Sequence, residues 1–477
     1  MDSNDFRTQA YRLVDWMADY FENVEDYPVK PNIEPGAVFK QLPEGPPLKG
    51  ESFEEMFSDF EDIIMPGMTH WESPKFMAYF PANKSYPSVL AEMLTATLGA
   101  QCMSWITSPA ATELEEQMMI WLRDMIGLPE TFTGVIQDTA STATLSALLM
   151  AREKVSNFEI NESGFSAGQT FTIYCSSETH SSIEKDVKIA GFGRKSLQKI
   201  GVDDAYAMKP ELLEQAIKKD LNEGCKPACV IATIGTTGST AIDPLKEIAE
   251  VCGRHDIFLH VDAAYAGTAL LLPEMRWMID GIEGVNSFVF NPHKWMFTNF
   301  DCSAFFVRDE ALLVRTFEIT PEYLKTQGDE RVKNYRDWGI QLGRRFRALK
   351  LWFVIRSFGV EGLQQKIRKH LHIANNFKHK VQNSTDFELM APAPLNTVCF
   401  RYHPPGLHDQ QKLNELNEEL LGQIQEQGEF FLTHTKLDGQ FTIRAVLGNT
   451  RLEQRHADEL WMHLKELSNV LGHFERK

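Results

Sequence analysis

No stretch of the chain reaches about eighteen uninterrupted apolar residues, so no membrane-spanning helix is expected. The opening "MDSNDFRTQ" has neither a basic segment nor an apolar core, and no secretory leader is expected either. Basic charge is in deficit: 48 Lys and Arg against 66 Asp and Glu leave a net charge of −18, spread along the chain. A nucleic-acid-binding protein would carry a basic face, so no nucleic-acid partner is expected. Cysteine is sparse, at 102, 175, 225, 229, 252, 302 and 399, an odd number with no C-x-x-C. Cys225 and Cys229 have the spacing of metal ligands, but no second pair follows. Neither a disulfide framework nor a metal site is expected, and the chain reads as cytoplasmic with reduced thiols. The nucleotide-binding patterns G-x-x-x-x-G-K-[ST] and G-x-G-x-x-G after a strand are missing as well.

What is present is the composition of a folded protein, 43% hydrophobic and 24% charged over 477 residues. That length exceeds one compact core, and two or three domains are expected. Residues 5–24 place Phe6, Ala10, Leu13, Val14, Met17, Phe21 and Val24 on one helical face, with capping oxygens available at Ser3, Asn4 and Asp5. Such a stripe must pack on its own chain or on a partner subunit, and amphipathicity alone does not choose. Pro- and Gly-rich connector follows ("YPVKPNIEPG", "LPEGPPLKGES"), and then a helical segment, "SFEEMFSDFEDIIMPG". The organisation read from these shifts is a helical arm over 1–84, a large domain over 85–360 and a small α/β domain over 361–477.

Within the large domain, apolar runs of strand length ("FTIYCSS", "ACVIATIG", "IFLHVDAA", "SFVFNP") alternate with amphipathic helical patterns. That alternation predicts an α/β fold with a mainly parallel sheet covered on both faces. In such sheets ligands gather at the carboxyl ends of the strands. Three strand ends carry unusual residues: Asp262 in "HVDAAYAG", Lys294 in "NPHKW" and His180 in "ETHSS". Each alone reads as a helix cap, a surface charge or a solvated loop residue. The topology brings all three to one rim.

A pyridoxal phosphate site needs this combination. A lysine amine forms an imine with the aldehyde, a carboxylate keeps the pyridine nitrogen protonated, and a flat group stacks on the ring. The stretch "GVIQDTASTATLSALLMAR" (134–152) passes from an apolar run through small hydroxyl residues into a helix, where a phosphate would meet the helix N-terminus.

The chain resembles the group II pyridoxal-phosphate-dependent decarboxylases, in particular those acting on aromatic L-amino acids, over nearly its whole length. The resemblance is carried by "HWESPKFMAYFP" (70–81), "HVDAAYAG" (260–267), "NPHKW" with "NFDCSA" (299–304), and "LGRRFRALKLWF" (342–353). It implies fold type I, the aspartate aminotransferase-like α/β architecture. It also implies a homodimer with active sites at the subunit interface, the N-terminal arm wrapping its partner.

By the same resemblance Lys294 matches the imine lysine, Asp262 the pyridine partner and His180 the stacking ring. Ala264 matches the residue on the ring's other face, Ala140, Ser141, Asn291 and His293 the phosphate side, and Thr237 a position beside the cofactor. Tyr323 matches a lid tyrosine that returns a proton to Cα, and with His180 present it favours decarboxylation. Trp71, Tyr79, Phe80, Pro81, Gln101, Met103 and Gly343 match the substrate pocket. Gly343 stands where histidine-selective relatives carry serine. The chain departs from the family pattern at Gln101, Met103, Asp138 and Thr139.

The implied activity is decarboxylation of tyrosine, DOPA, tryptophan, 5-hydroxytryptophan or phenylalanine to the arylalkylamine. The same scaffold also supports an oxygen-consuming aromatic aldehyde synthase or a histidine decarboxylase.

Overall fold

The computed structural model describes residues 1–319 and 332–474. Contacts divide the chain into two compact units: Met1–Pro81 with Ile373–Met390 and Val398–Lys477, and Ala82–His372 with Ala391–Thr397.

The second unit is built on seven strands: β1 Thr133–Gln137, β2 Phe171–Ser176, β3 Leu197–Ile200, β4 Lys226–Thr233, β5 Phe258–Asp262, β6 Ser287–Phe290 and β7 Ser303–Val307. Their spatial order is β1-β7-β6-β5-β4-β2-β3. Neighbours from β6 to β3 run parallel, whereas β7 is antiparallel to both β6 and β1. The expected mainly parallel sheet is therefore present. The antiparallel insertion of "SAFFV" is the added feature; its apolar run is strand-like, but sequence alone gives no strand direction.

Both faces of this sheet are covered, which is why β2, β5, β6 and β7 are buried along their whole length instead of alternating. The helix Ala140–Ser156 lies across the sheet and buries Ala143, Ala147 and Ala151, spaced one turn apart. Side chains that small let the helix axis approach the strands closely. Around them Val135, Ile173, Ile231, Phe258, Val289 and Phe305 form one apolar cluster, each worth roughly 1.5–3 kcal/mol of transfer free energy when fully buried.

The first unit contains β8 Phe387–Leu389, β9 Thr397–Tyr402, β10 Thr433–Leu437 and β11 Gln440–Val446, in the order β10-β11-β9-β8. The β10–β11 hairpin turns at Asp438-Gly439, both with positive φ (49° and 76°), the pairing a tight two-residue hairpin requires. The first helix spans Ser3–Glu22, and its cap is Asp2, closed by Asp5 in a capping box. Of the predicted stripe, Phe21 and Val24 are buried, while Phe6 and Val14 stay exposed in the single chain. The helix Arg347–Gln382 breaks at Gly359, whose φ of 64° and ψ of 169° are not helical. None of the described helices is long and apolar enough to cross a membrane.

Candidate active site

Strand register places the chemistry. Thr233 of β4, Asp262 of β5 and Val289 of β6 lie abreast. Gln137 at the end of β1 pairs with Ser303 at the start of β7, and Phe290 at the end of β6 pairs with Ala304. Past β2, the Thr179 hydroxyl reaches the Thr233 hydroxyl at 3.5 Å. The carboxyl ends of β1, β2, β4, β5 and β6 thus share one rim.

Asp262 is only 6% exposed, and its Oδ1 accepts the Ala264 N–H at 3.0 Å. The Ala264 carbonyl in turn accepts the Asn291 N–H at 3.0 Å, which ties the exit of β5 to the exit of β6. Lys294 sits in the short helix Pro292–Trp295, half-buried, with its N–H donated to the Asn291 carbonyl at 2.9 Å. Burial holds its amine below the ordinary lysine value, and the Asp262 carboxylate pulls the other way.

His180 lies on the solvent side of the same rim. Its Nδ1 accepts the Ser182 N–H at 3.2 Å and pairs with the Ser182 hydroxyl at 2.8 Å, so the neutral ring carries its proton on Nε2. Desolvation lowers its pKa, Asp262 raises it and Lys294 lowers it further. The three residues singled out in the sequence therefore feel one another electrostatically.

Trp295, next to Lys294, is fully buried, and Tyr265 stacks on it at 4.9 Å and 7°. Its indole N–H donates to His370 Nδ1 at 3.0 Å. An aromatic side chain held on a face and at its edge leaves Lys294 little freedom at the backbone.

The opposite side of the rim is rich in open donors. Thr139 caps the helix Ala140–Ser156, and its own N–H is taken by Asp138 at 2.6 Å. Among the described residues, no acceptor meets the N–H groups of Ala140 and Ser141, the Asn291 Nδ2 or the His293 Nε2. Asn291 Oδ1 is fixed by the Ser303 hydroxyl at 2.6 Å, and His293 Nδ1 by the Cys302 N–H at 2.9 Å. Each side chain is therefore fixed through its acceptor atom, which leaves its N–H donor for another partner. Burial and the Lys294 charge push His293 down to about 3, so its ring is neutral, with Nε2–H the donor. A helix N-terminus with such donors around it fits a phosphate. The Asp138 and Thr139 departures thus serve the cap: Asp138 accepts backbone and Thr139 holds the Thr142 N–H at 3.4 Å. Thr237, in the turn after β4, is half-buried with a hydroxyl that meets no partner among the described residues.

The residues matched to the substrate pocket fall in both units. In the first, Trp71 stacks on Tyr79 (5.8 Å, 17°), Phe80 lies under the Arg444 guanidinium (5.6 Å) and Pro81 is buried. In the second, the Gln101 carboxamide oxygen accepts the Arg344 N–H at 2.7 Å. A Cβ added at Gly343 would lie 3.2 Å from Gln101 Nε2, so the two positions share one space. The Met103 carbonyl accepts the Arg336 N–H at 2.8 Å. Tyr323 lies outside the described residues. Among those described, no three His, Cys, Asp or Glu side chains gather as a metal site.

Sequence reasoning passed over His260, two residues before Asp262 and therefore on the same strand face. It is held between the Ser287 hydroxyl (2.8 Å) and the Thr144 hydroxyl (3.1 Å), and burial pushes it down to about 4. The period-two spacing in "LHVD" was the available signal.

Residues 35–403 match the family described as the pyridoxal-dependent decarboxylase conserved domain. Tryptophan decarboxylase 2 of Oryza sativa subsp. japonica is 40% identical over 99% of this chain and 96% of its own length. Phenylacetaldehyde synthase of Arabidopsis thaliana is also 40% identical, over 99% of this chain and 98% of its own. The crystal structure of Oryza sativa TDC with PLP and tryptamine superposes with a TM-score of 0.95 at 34% identity, covering 99% of both chains.

Proposed function

The chain belongs to the pyridoxal-dependent decarboxylase family, and from that premise we propose that it decarboxylates aromatic L-amino acids to arylalkylamines. The observation that carries the proposal is the pairing at the rim. A buried carboxylate, Asp262, and a lysine whose amine burial depresses, Lys294, influence each other directly beside a set of unsatisfied donors.

Pyridoxal phosphate, which Lys294 would hold through its amine, would supply an electron sink for the reaction at Cα. The chain's own residues do the rest. Asp262, oriented by the Ala264 N–H, keeps a proton on the ring nitrogen. His180 would cover one ring face and Ala264 the other, with Thr237 beside them. Ala140, Ser141, Asn291 and His293 would hold the phosphate oxygens. Desolvation favours the neutral Lys294 amine, the nucleophilic form. Tyr323 donates the proton to Cα.

Trp71, Tyr79, Phe80 and Pro81 offer aromatic and apolar surface for the substrate ring, and Gln101, Met103 and Gly343 are the other residues assigned to its recognition. The absence of a side chain at Gly343 leaves room for phenol, catechol or indole in preference to imidazole.

The assembly is proposed as a homodimer with its active sites at the interface, residues 1–84 forming the arm. The exposure of Phe6, Tyr11 and Val14 on the first helix, and of Tyr86, Leu90, Leu94 and Leu98 on the helix Tyr86–Leu98, supports a covered surface in the assembled protein. A cytoplasmic location is supported by seven free cysteines.

The equal identity to an aldehyde synthase favours one second reading: oxidative decarboxylation and deamination, in which amino acid, O2 and water give aldehyde, CO2, ammonia and hydrogen peroxide. One experiment separates them. Purified holoenzyme is given tyrosine, DOPA, tryptophan, 5-hydroxytryptophan, phenylalanine and histidine, and CO2, amine, ammonia and peroxide are quantified. Amine matching CO2 supports decarboxylation, and ammonia and peroxide matching CO2 support the second reading. No CO2 from any aromatic substrate sinks both. Borohydride reduction should label Lys294 and no other lysine.

A further inference from the structure

The short helix Pro292–Trp295 does little to hold itself in place. Its backbone closes with the Met296 N–H on the Pro292 carbonyl at 3.2 Å and the Lys294 N–H on the Asn291 carbonyl at 2.9 Å. A single turn is marginal by itself, so the position of His293 is set from outside it. The residues that lead into β7 do this. The Cys302 N–H donates to His293 Nδ1 at 2.9 Å, and the Cys302 carbonyl accepts the His293 N–H at 3.2 Å. The Ser303 hydroxyl donates to Asn291 Oδ1 at 2.6 Å. Phe300 lays its ring against the His293 ring at 4.8 Å.

Between Phe300 and Cys302 stands Asp301, and Arg347 grips it. Arg347 Nε donates to Oδ1 at 2.9 Å and Nη2 to Oδ2 at 3.2 Å. In this two-pronged geometry an arginine fixes a carboxylate in direction as well as in distance. Helix formation does not account for Arg347, because it opens the helix Arg347–Gln382, where a cation opposes the helix dipole. The two side chains are 13% and 14% exposed, so solvent screens their attraction far less than it would at the surface. The neighbouring cations serve another acid: Arg345, 3.9 Å from Asp301 Oδ1, is engaged by Glu92, and Lys350 lies 3.1 Å from the same Glu92.

We propose that Arg347 and Asp301 are positioning residues for the cofactor phosphate. Their pair anchors the segment 300–303, which engages His293 and Asn291 through their acceptor atoms and leaves the Nε2–H and Nδ2–H donors for phosphate oxygens. The proposal rests on the reading of Asn291 and His293 as phosphate contacts. The other end of the site is held independently: Asp262 by the Ala264 N–H, and Trp295, next to Lys294, by Tyr265 and His370. Loosening the anchor therefore acts on the phosphate and spares the ring.

The test compares pyridoxal phosphate with pyridoxal, which has the same ring and aldehyde and no phosphate. Each is titrated into full-length apoenzyme prepared from holoenzyme, and binding is followed by visible absorption. Wild type should prefer the phosphate ester strongly. Arg347→Met and Asp301→Asn should each cut that preference by about 10-fold or more, with pyridoxal binding little changed. Arg347→Lys, which keeps the charge and loses the fork, should fall between. An affinity ratio equal to that of wild type overturns the proposal, whether both affinities stand or both fall together. If neither of the first two variants folds, Arg347→Lys and the double variant Asp301→Asn/Arg347→Gln decide by the same ratio. Failure of the underlying reading looks different: wild type would then bind pyridoxal as tightly as its phosphate ester, or borohydride would leave Lys294 unlabelled.

Discussion

Replacing Glu115 by alanine removes the carboxylate from a buried pair that ties three segments of the second unit together. Glu115 is 2% and Arg344 8% exposed. Arg344 Nη2 donates to Oε1 at 2.6 Å and Nη1 to Oε2 at 3.1 Å, a bidentate arrangement. Oε1 also accepts the Ile136 N–H at 2.9 Å, and Nη2 donates to the Ile136 carbonyl at 2.8 Å. Arg344 Nη1 reaches the Cys102 carbonyl at 3.4 Å. The pair thus joins β1, the loop at Cys102 and the segment carrying Gly343.

Taking away one partner of a buried ion pair costs about 3–5 kcal/mol, because the other charge stays in a medium that cannot solvate it. The orphaned Ile136 N–H is part of that loss. Glu115→Ala should therefore lower stability by about 4 kcal/mol. The double variant Glu115→Met/Arg344→Met removes both charges and refills the volume, so its loss should be less than half the sum of the two single losses. Urea unfolding followed by fluorescence gives the numbers, each midpoint shift multiplied by the measured m-value. A Glu115→Ala loss under about 1 kcal/mol, or a double variant as unstable as the summed singles, refutes this account of the pair.

Other perturbations follow from burial and close approach. Asp186 has a folded pKa raised from about 3.8 to about 7, so the folded state holds the extra proton and stability falls as pH rises from about 4 through about 7. Asp186→Asn should remove that slope and gain up to about 4 kcal/mol over wild type by pH 8; urea midpoints that run parallel from pH 4 to 8 contradict it. Gly267→Ala would set a Cβ 2.4 Å from the Phe290 Cβ, one residue before Asn291. Overpacking there should cost roughly 1–3 kcal/mol and weaken cofactor retention, measured by dialysis of holoenzyme, whereas unchanged retention with unchanged melting counts against it. Gly343→Ala should crowd Gln101 Nε2 and strain its 2.7 Å bond to Arg344, costing about 0.5–1.5 kcal/mol. The loss should be recovered in a Gln101→Ala background, and its persistence there would show that Gln101 is not the obstacle.

Much of the site was written locally. Asp262, Lys294 and His180 follow apolar strand runs, and a strand end points its next residues at the rim whatever the rest of the fold does. The alternation of strand and helix periods was enough for a mainly parallel sheet. Gly267 was legible as part of "HVDAAYAG", but its reason, the approach of Phe290 from the next strand, was not.

What the amino-acid order determined by itself was the periodicity of each segment and the residue types at its ends, because both depend on neighbours within a few positions. Only the tertiary structure decided the antiparallel insertion of β7 between β1 and β6, which brings Ser303 against Asn291 and Cys302 against His293 and so engages their acceptor atoms. Only it could enclose Asp186 and give Glu115 and Arg344 each other. Strand direction, desolvation and ion pairing arise between segments far apart in the chain, and no local pattern encodes the dielectric in which a side chain will sit.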